Sequence, residues 1–119
     1  MDEDLSILNS VKKLLGIPAD YKQFDTDIII HINSVFMTLT QLGVGPQIGF
    51  SISDENTVWT DFVSDESNLK AVKTYVTLKV KLIFDPPQST AVLECYKEML
   101  KETEWRLNVE AEGGQNETE

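Results

Sequence analysis

The sequence predicts a mainly α protein, a small bundle of four to five helices with an irregular segment at about residues 44–66. Three observations predict it. Apolar residues recur at spacings of three and four in four separate stretches, the period that puts side chains on one helix face. Glycine, proline or a capping residue stands where those stretches begin or end. Finally, a long apolar run meets the corner Phe84-Asp85-Pro86-Pro87-Gln88-Ser89 and restarts beyond it. Proline lacks a backbone N–H and its ring clashes with the preceding turn, so no helix runs through this corner. The Ser89 hydroxyl oxygen is suited to cap the helix that follows.

The first helix has Asp4 as its cap candidate and carries Leu5, Leu8, Val11, Leu14 and Leu15 on one stripe. Gly16 stops it, Pro18 follows, and residues 16–24 connect to the next element. Asp25 is the cap candidate of the second helix. Ile28, Ile32, Val35, Leu39 and Leu42 form its stripe, flanked by Ile29 and Phe36. The β-branched run Ile28-Ile29-Ile30 alone would suit a strand, but the stripe persists for four turns and favours a helix. Gly43 and Gly45-Pro46 end it.

Residues 44–66 have no helical period. Ile48, Phe50 and Ile52 alternate with Gly49, Ser51 and Ser53, as in a strand, and Asp54-Glu55-Asn56 is a turn sequence. Val58, Trp59, Phe62 and Val63 suit either a second strand of a hairpin or one helical turn. A connection of this length inside a compact domain usually has a task.

Ser67 is placed to cap a third helix reaching to about Phe84. Leu69, Val72, Val76, Val80 and Ile83 share one face; Ala71, Tyr75, Leu78 and Leu82 share a nearly opposite one. A helix apolar on two sides is buried on two sides, either at the centre of the bundle or between its own bundle and a neighbouring subunit. After the corner, Val92, Leu93, Tyr96, Met99, Leu100 and Leu107 line one face of a fourth helix, and Glu102 to Arg106 is a favourable i,i+4 pair. Trp105 projects among Glu94, Glu98 and Lys101, away from that face. From Val109 the chain has no apolar pattern. The expected division is therefore a helical domain over residues 1–108 and a disordered acidic tail over 109–119.

The chain has 119 residues, the size of one domain, and is 41% hydrophobic. A domain of this size buries roughly two-thirds of its unfolded surface. Twenty acidic residues against ten basic ones give a net charge of −10. Residues 1–66 hold eleven acids and three bases, and residues 109–119 four acids and no base. Such a surface argues against binding a phosphate backbone, which takes Lys and Arg. A single cysteine, Cys95, excludes an intramolecular disulfide and fits a reducing cytoplasm. Met1-Asp2-Glu3-Asp4 has neither the basic nor the apolar region of a signal peptide, and no apolar run nears the length of a membrane helix. A soluble cytoplasmic product with no membrane contact is expected.

No catalytic signature is present. His31 is the only histidine and sits at the edge of an apolar stripe, as a packed histidine does. One His and one Cys make no structural zinc site. Asp54, Glu55, Asp61, Asp65 and Glu66 are clustered in sequence but lack the ligand spacing of a calcium loop. Gly43-Val44-Gly45-Pro46 has neither the spacing nor the Lys-Ser/Thr ending of a phosphate loop. The expectation is a protein that is not an enzyme and carries no catalytic, metal or cofactor site. Lys70, Lys73, Lys79 and Lys81 are the main basic cluster, either a solvated face or a contact for the acidic loop of another copy.

The helix order resembles the head–tail connector (adaptor, or head-completion) proteins of long-tailed phages and prophages. So does the wording Tyr75-Val76-Thr77-Leu78-Lys79-Val80-Lys81-Leu82-Ile83-Phe84-Asp85-Pro86-Pro87. So do Tyr96-Lys97-Glu98-Met99-Leu100-Lys101-Glu102 and Glu104-Trp105-Arg106-Leu107-Asn108. The Leu39 to Pro46 segment with Phe50, Trp59 and Phe62 fits the same pattern, so the resemblance spans roughly residues 3–108. It implies a structural virion protein of the neck, made in the bacterial host cytoplasm. Such a subunit assembles with itself, usually as a twelve-membered ring that forms from free monomers under the portal protein. The ring extends the DNA channel and docks the next neck or tail protein. No catalysis and no cofactor are implied, and DNA passes an acidic channel without specific binding. The family's portal-contacting C-terminal segment maps onto residues 105–119. The residues expected at subunit contacts are Trp59, Phe62, Tyr75, Leu78, Leu82, Trp105 and Arg106. The competing readings are another neck role, stopper or tail completion, and an acidic DNA-mimic inhibitor.

Overall fold

The computed structural model describes residues 5–64 and 66–117, with side chains except at residue 67 and residues 112–117. Four helices follow in chain order: α1 (Ile7–Leu14), α2 (Asp25–Gln41), α3 (Glu66–Phe84) and α4 (Thr90–Glu117). Among the described residues no strand forms; residues 42–64 hold one 3₁₀ turn, Trp59–Asp61. The expected bundle is present and the run Ile28-Ile29-Ile30 is helical. The hairpin allowed by the alternation at 48–52 does not form.

α3 is the centre. It packs against α1, α2 and α4, while α4 has no other substantial helix neighbour. Val72, Tyr75, Val76, Leu78 and Val80 are all buried, so both apolar faces of α3 are covered within one chain. Ile28, Ile32, Val35, Phe36 and Leu39 bring α2 to it, and Leu100 and Leu107 bring α4. The molecule is accordingly thin, with extents of 47 × 35 × 20 Å.

α1 differs from its predicted register. Its cap is Ser6, whose hydroxyl accepts from the Asn9 N–H at 3.2 Å; Asp4 lies outside the described residues. The buried face is Ile7, Leu8, Val11 and Lys12, while Leu5 and Leu14 are exposed. The face is rotated because Lys12 goes inward. Its ammonium pairs with Asp25 at 2.7 Å and donates to the carbonyls of Ala19 (3.1 Å) and Tyr21 (2.7 Å). A buried lysine is tolerated only with such partners. Asp25 is thus the first residue of α2 and a salt-bridge partner, not its cap, which is Phe24.

The proline corner forms as predicted. α3 ends at Phe84, Asp85 accepts from Lys81 at 3.2 Å, and Ser89 stands at the head of α4 with its hydroxyl facing the Val92 N–H at 3.4 Å. α4 then continues through residues 109–117, where an apolar pattern is missing. Helical backbone satisfies its own hydrogen bonds, so a terminal extension needs no buried stripe.

Candidate functional site

The irregular segment between α2 and α3 is fastened at three places. Asn33, on α2, accepts from the Ile52 N–H at 2.7 Å and donates to the Ile52 carbonyl at 3.0 Å. Its amide takes both backbone bonds that a neighbouring strand would take. The start of α1 holds the far end: Ile7 N–H donates to Thr57, Trp59 N–H to Leu5, and the Ser6 hydroxyl to Glu55 at 2.7 Å. Between them Phe36, Phe50 and Phe62 form an aromatic triangle with ring centroids 4.6–5.0 Å apart. Gly45 has φ +84° and lies against Phe62, where a Cβ would collide with the ring.

This fastening decides the fate of the predicted contact residues. Trp59 is buried, its indole N–H donating to Ser10 at 2.8 Å, and Phe62 is buried in the triangle. Tyr75 and Leu78 are buried between α3 and its neighbours; the Tyr75 hydroxyl donates to Glu104 on α4 at 2.8 Å. Burial, then that hydrogen bond and the Glu104 charge, push the Tyr75 pKa well above the tyrosine range. These four side chains therefore do not lie on the surface. Periodicity identifies a second apolar face but not what covers it, and here α4 covers it. Leu82 is half-buried. Trp105 is 67% exposed, and Arg106 is exposed in an ion pair with Glu102 at 2.6 Å.

The residues considered for chemistry have structural tasks. His31 is half-buried with its ring 6.4 Å from that of Phe84. Asp54 accepts from the Asn56 N–H and Asp61 from the Val58 N–H, each capping a turn. Glu55 pairs with Lys22 at 2.9 Å on the surface, which holds its carboxyl below the usual range and raises the lysine. Asp65 lies outside the described residues. Among the described residues, no three His, Cys, Asp or Glu side chains converge on a metal-sized site, and no helix is long and apolar enough to cross a membrane. Within the lysine cluster, Lys73 lies over the Trp59 ring, Lys79 over the Tyr75 ring, and Lys81 pairs with Asp85.

One surface was missed by periodicity. Residues 28–53 contain no Asp, Glu, Lys or Arg, although a quarter of the chain is charged. They build α2 and the loop laid on its outer side, where Ile30 (58%), Met37 (64%) and Ile48 (98%) are exposed. Asn33, Met37, Gln41, Ile48 and Phe50 line a mostly apolar cleft of about 370 Å³ there. The charge gap was legible in the sequence; that its residues face solvent was not.

The family model described as Phage connector protein matches residues 7–114. No curated protein and no solved structure matches the chain. The family match begins at the first residue of α1, crosses the proline corner and ends inside α4. The match covers nearly the whole described helical bundle, from α1 to the far part of α4; the chain belongs to the phage connector protein family, structural components of the phage neck.

Proposed function

We propose that this chain is the head–tail adaptor of its phage. In this reading free subunits assemble as a twelve-membered ring under the portal, extend the DNA channel and dock the next neck or tail protein. The observation that carries the proposal is the connector-family match over residues 7–114. Trp105 supports it: a tryptophan exposed on a helix face with the ion-paired Glu102 and Arg106 has the make-up of a contact anchor with a polar rim. Trp105, Arg106 and Leu82 are the contact residues retained from the sequence reading. The acidic segment 109–119, beyond Trp105, is the part proposed to form the portal-facing end.

The channel wall in this reading is acidic, repels phosphates and lets DNA slide without adhering. Against a DNA mimic, several acids already serve their own chain: Asp25, Asp54, Glu55, Asp61 and Asp85 hold partners within the fold. The test is copurification with the portal protein of the same phage, followed by particle imaging. A ring on the portal face is the expected result. Copurification with the tail tube instead would reassign the chain to a stopper or tail-completion role, and binding to neither would remove the adaptor reading.

A further inference from the structure

The uncharged outer side of α2 and the exposed face of α4 are complementary in chemistry. The first is an apolar cleft of about 370 Å³ between Met37, Ile48 and Phe50, with the neutral amides of Asn33 and Gln41 at its edge. The second presents Trp105, and one turn further Val109, both exposed. Depletion of charge marks the centres of protein interfaces, and tryptophan is the residue most enriched among their anchors. An indole buries about 150–250 Å² when it is covered. Its polar N–H needs a partner, and the Gln41 side-chain amide at the cleft edge has an acceptor oxygen to offer.

Charge balance favours the same pairing. Glu102 and Arg106 beside Trp105 already neutralise each other at 2.6 Å. Seating Trp105 in an uncharged cleft therefore leaves that pair intact, with Glu98 and Lys101 at the solvated rim, whereas a strongly charged partner would find no counter-charge along residues 28–53. Geometry decides the kind of contact. α2 and α4 each pack on α3 and hardly meet one another, and the Met37–Ile48 and Trp105 surfaces are both exposed to solvent. The anchor of one molecule thus cannot reach its own cleft, and one patch does not pair with itself. Two different surfaces of one subunit make a head-to-tail contact, which repeats into a ring or a filament.

We propose that Trp105 of one copy of this chain docks in the Met37–Ile48–Phe50 cleft of the next. The proposal rests on the ring reading above and names the surfaces that would build it. Both anchor residues are exposed, so Trp105→Ala and Ile48→Asp leave the core intact, which circular dichroism and urea melts verify. Sedimentation of the full chain at its highest soluble concentration is the primary readout. The wild type is expected to associate, and each variant to associate at least about tenfold more weakly. An equimolar mixture of the two variants is the decisive sample. Trp105→Ala keeps a good cleft and Ile48→Asp keeps a good anchor, so the mixture forms one intact contact and stops at a dimer. Variants that associate as the wild type does, or a mixture that stays monomeric where the wild type associates, overturn the proposal; where the wild type stays monomeric without the portal, the rings on the portal decide it. The portal assay separates the two readings. Rings of both variants on the portal, as complete as those of the wild type, overturn this contact and leave the adaptor role standing. Absence of wild-type rings removes the adaptor role while the variant mixture still reports on the contact.

Discussion

Single residues hold positions that no pattern announces. Gly45 combines a left-handed backbone with a site closed by the Phe62 ring. Gly45→Ala is expected to cost about 2–3 kcal/mol, from strain at positive φ and from displaced aromatic packing, read as a lower urea midpoint with unchanged slope. Lys12 is the second case. Lys12→Met removes one partner of a buried pair, leaves the Asp25 carboxylate uncompensated and strips two carbonyls of their donor. A loss of about 3 kcal/mol is expected in the same melts; an unchanged midpoint would show that the pair contributes little. Neither residue was legible in advance. Glycine at a helix end predicts a stop, which Gly45 does help to make, but the collision with Phe62 comes from a residue seventeen positions away. Lysine on an amphipathic helix is assigned to solvent by default, and only the turn at 19–21 and the start of α2 turn it inward.

At the level of elements, the sequence was most readable where structure is local. The stripe of α2, the two faces of α3 and the Pro86-Pro87 corner follow from spacing and backbone chemistry. The 44–66 segment was not readable, because its order is imposed from outside by Asn33 and by the start of α1. Asn33→Ala is expected to raise hydrogen exchange at the Ile52 amide well before the helices are affected, while retention of its protection would show that the loop holds itself. α4 depends on α3 through Leu100, Leu107 and the Tyr75–Glu104 hydrogen bond. Tyr75→Phe should lower stability by about 1–2 kcal/mol at neutral pH. The pH dependence has a definite sign. The folded-state pKa of Tyr75 lies above the unfolded value of 10.0, so the hydroxyl's contribution is complete below that pH and is lost as pH rises above it. The stability difference between wild type and Tyr75→Phe should therefore shrink in alkali; a constant difference would argue against a buried hydroxyl facing Glu104.

For the whole molecule, net charge and surface composition point in different directions. A net charge of −10 disfavours adhesion to nucleic acid, and no shift of duplex DNA is expected even at about 50 mM salt, where basic proteins bind strongly. A retarded band would point to the lysine cluster Lys70, Lys73, Lys79 and Lys81 as the basic surface, in which Lys81 faces the carboxylate of Asp85. The contact candidates read from the sequence were mostly core residues for a related reason. An apolar face is a demand for cover, and a chain of this length meets most of that demand by itself. What remains uncovered is scattered over all four helices and the connections between them, and includes Ile30 and Met37 on α2, Ile48 in the loop beside it, and Trp105 on α4.

The attachment of α4 to a single neighbour has a consequence for stoichiometry. In a ring closed through α2 and α4, the rotation from one subunit to the next equals the angle between those two faces, and the full circle divided by that rotation is the copy number. That angle is set by how α4 lies across α3, on the bed formed by Leu100 and Leu107. Beyond them, the Tyr75–Glu104 hydrogen bond and the partly buried Tyr96 hold the tilt. A substitution of different volume beneath those leucines, remote from any subunit contact, would then act as a protractor setting: it would alter how many copies close the circle, or open the circle into a helix.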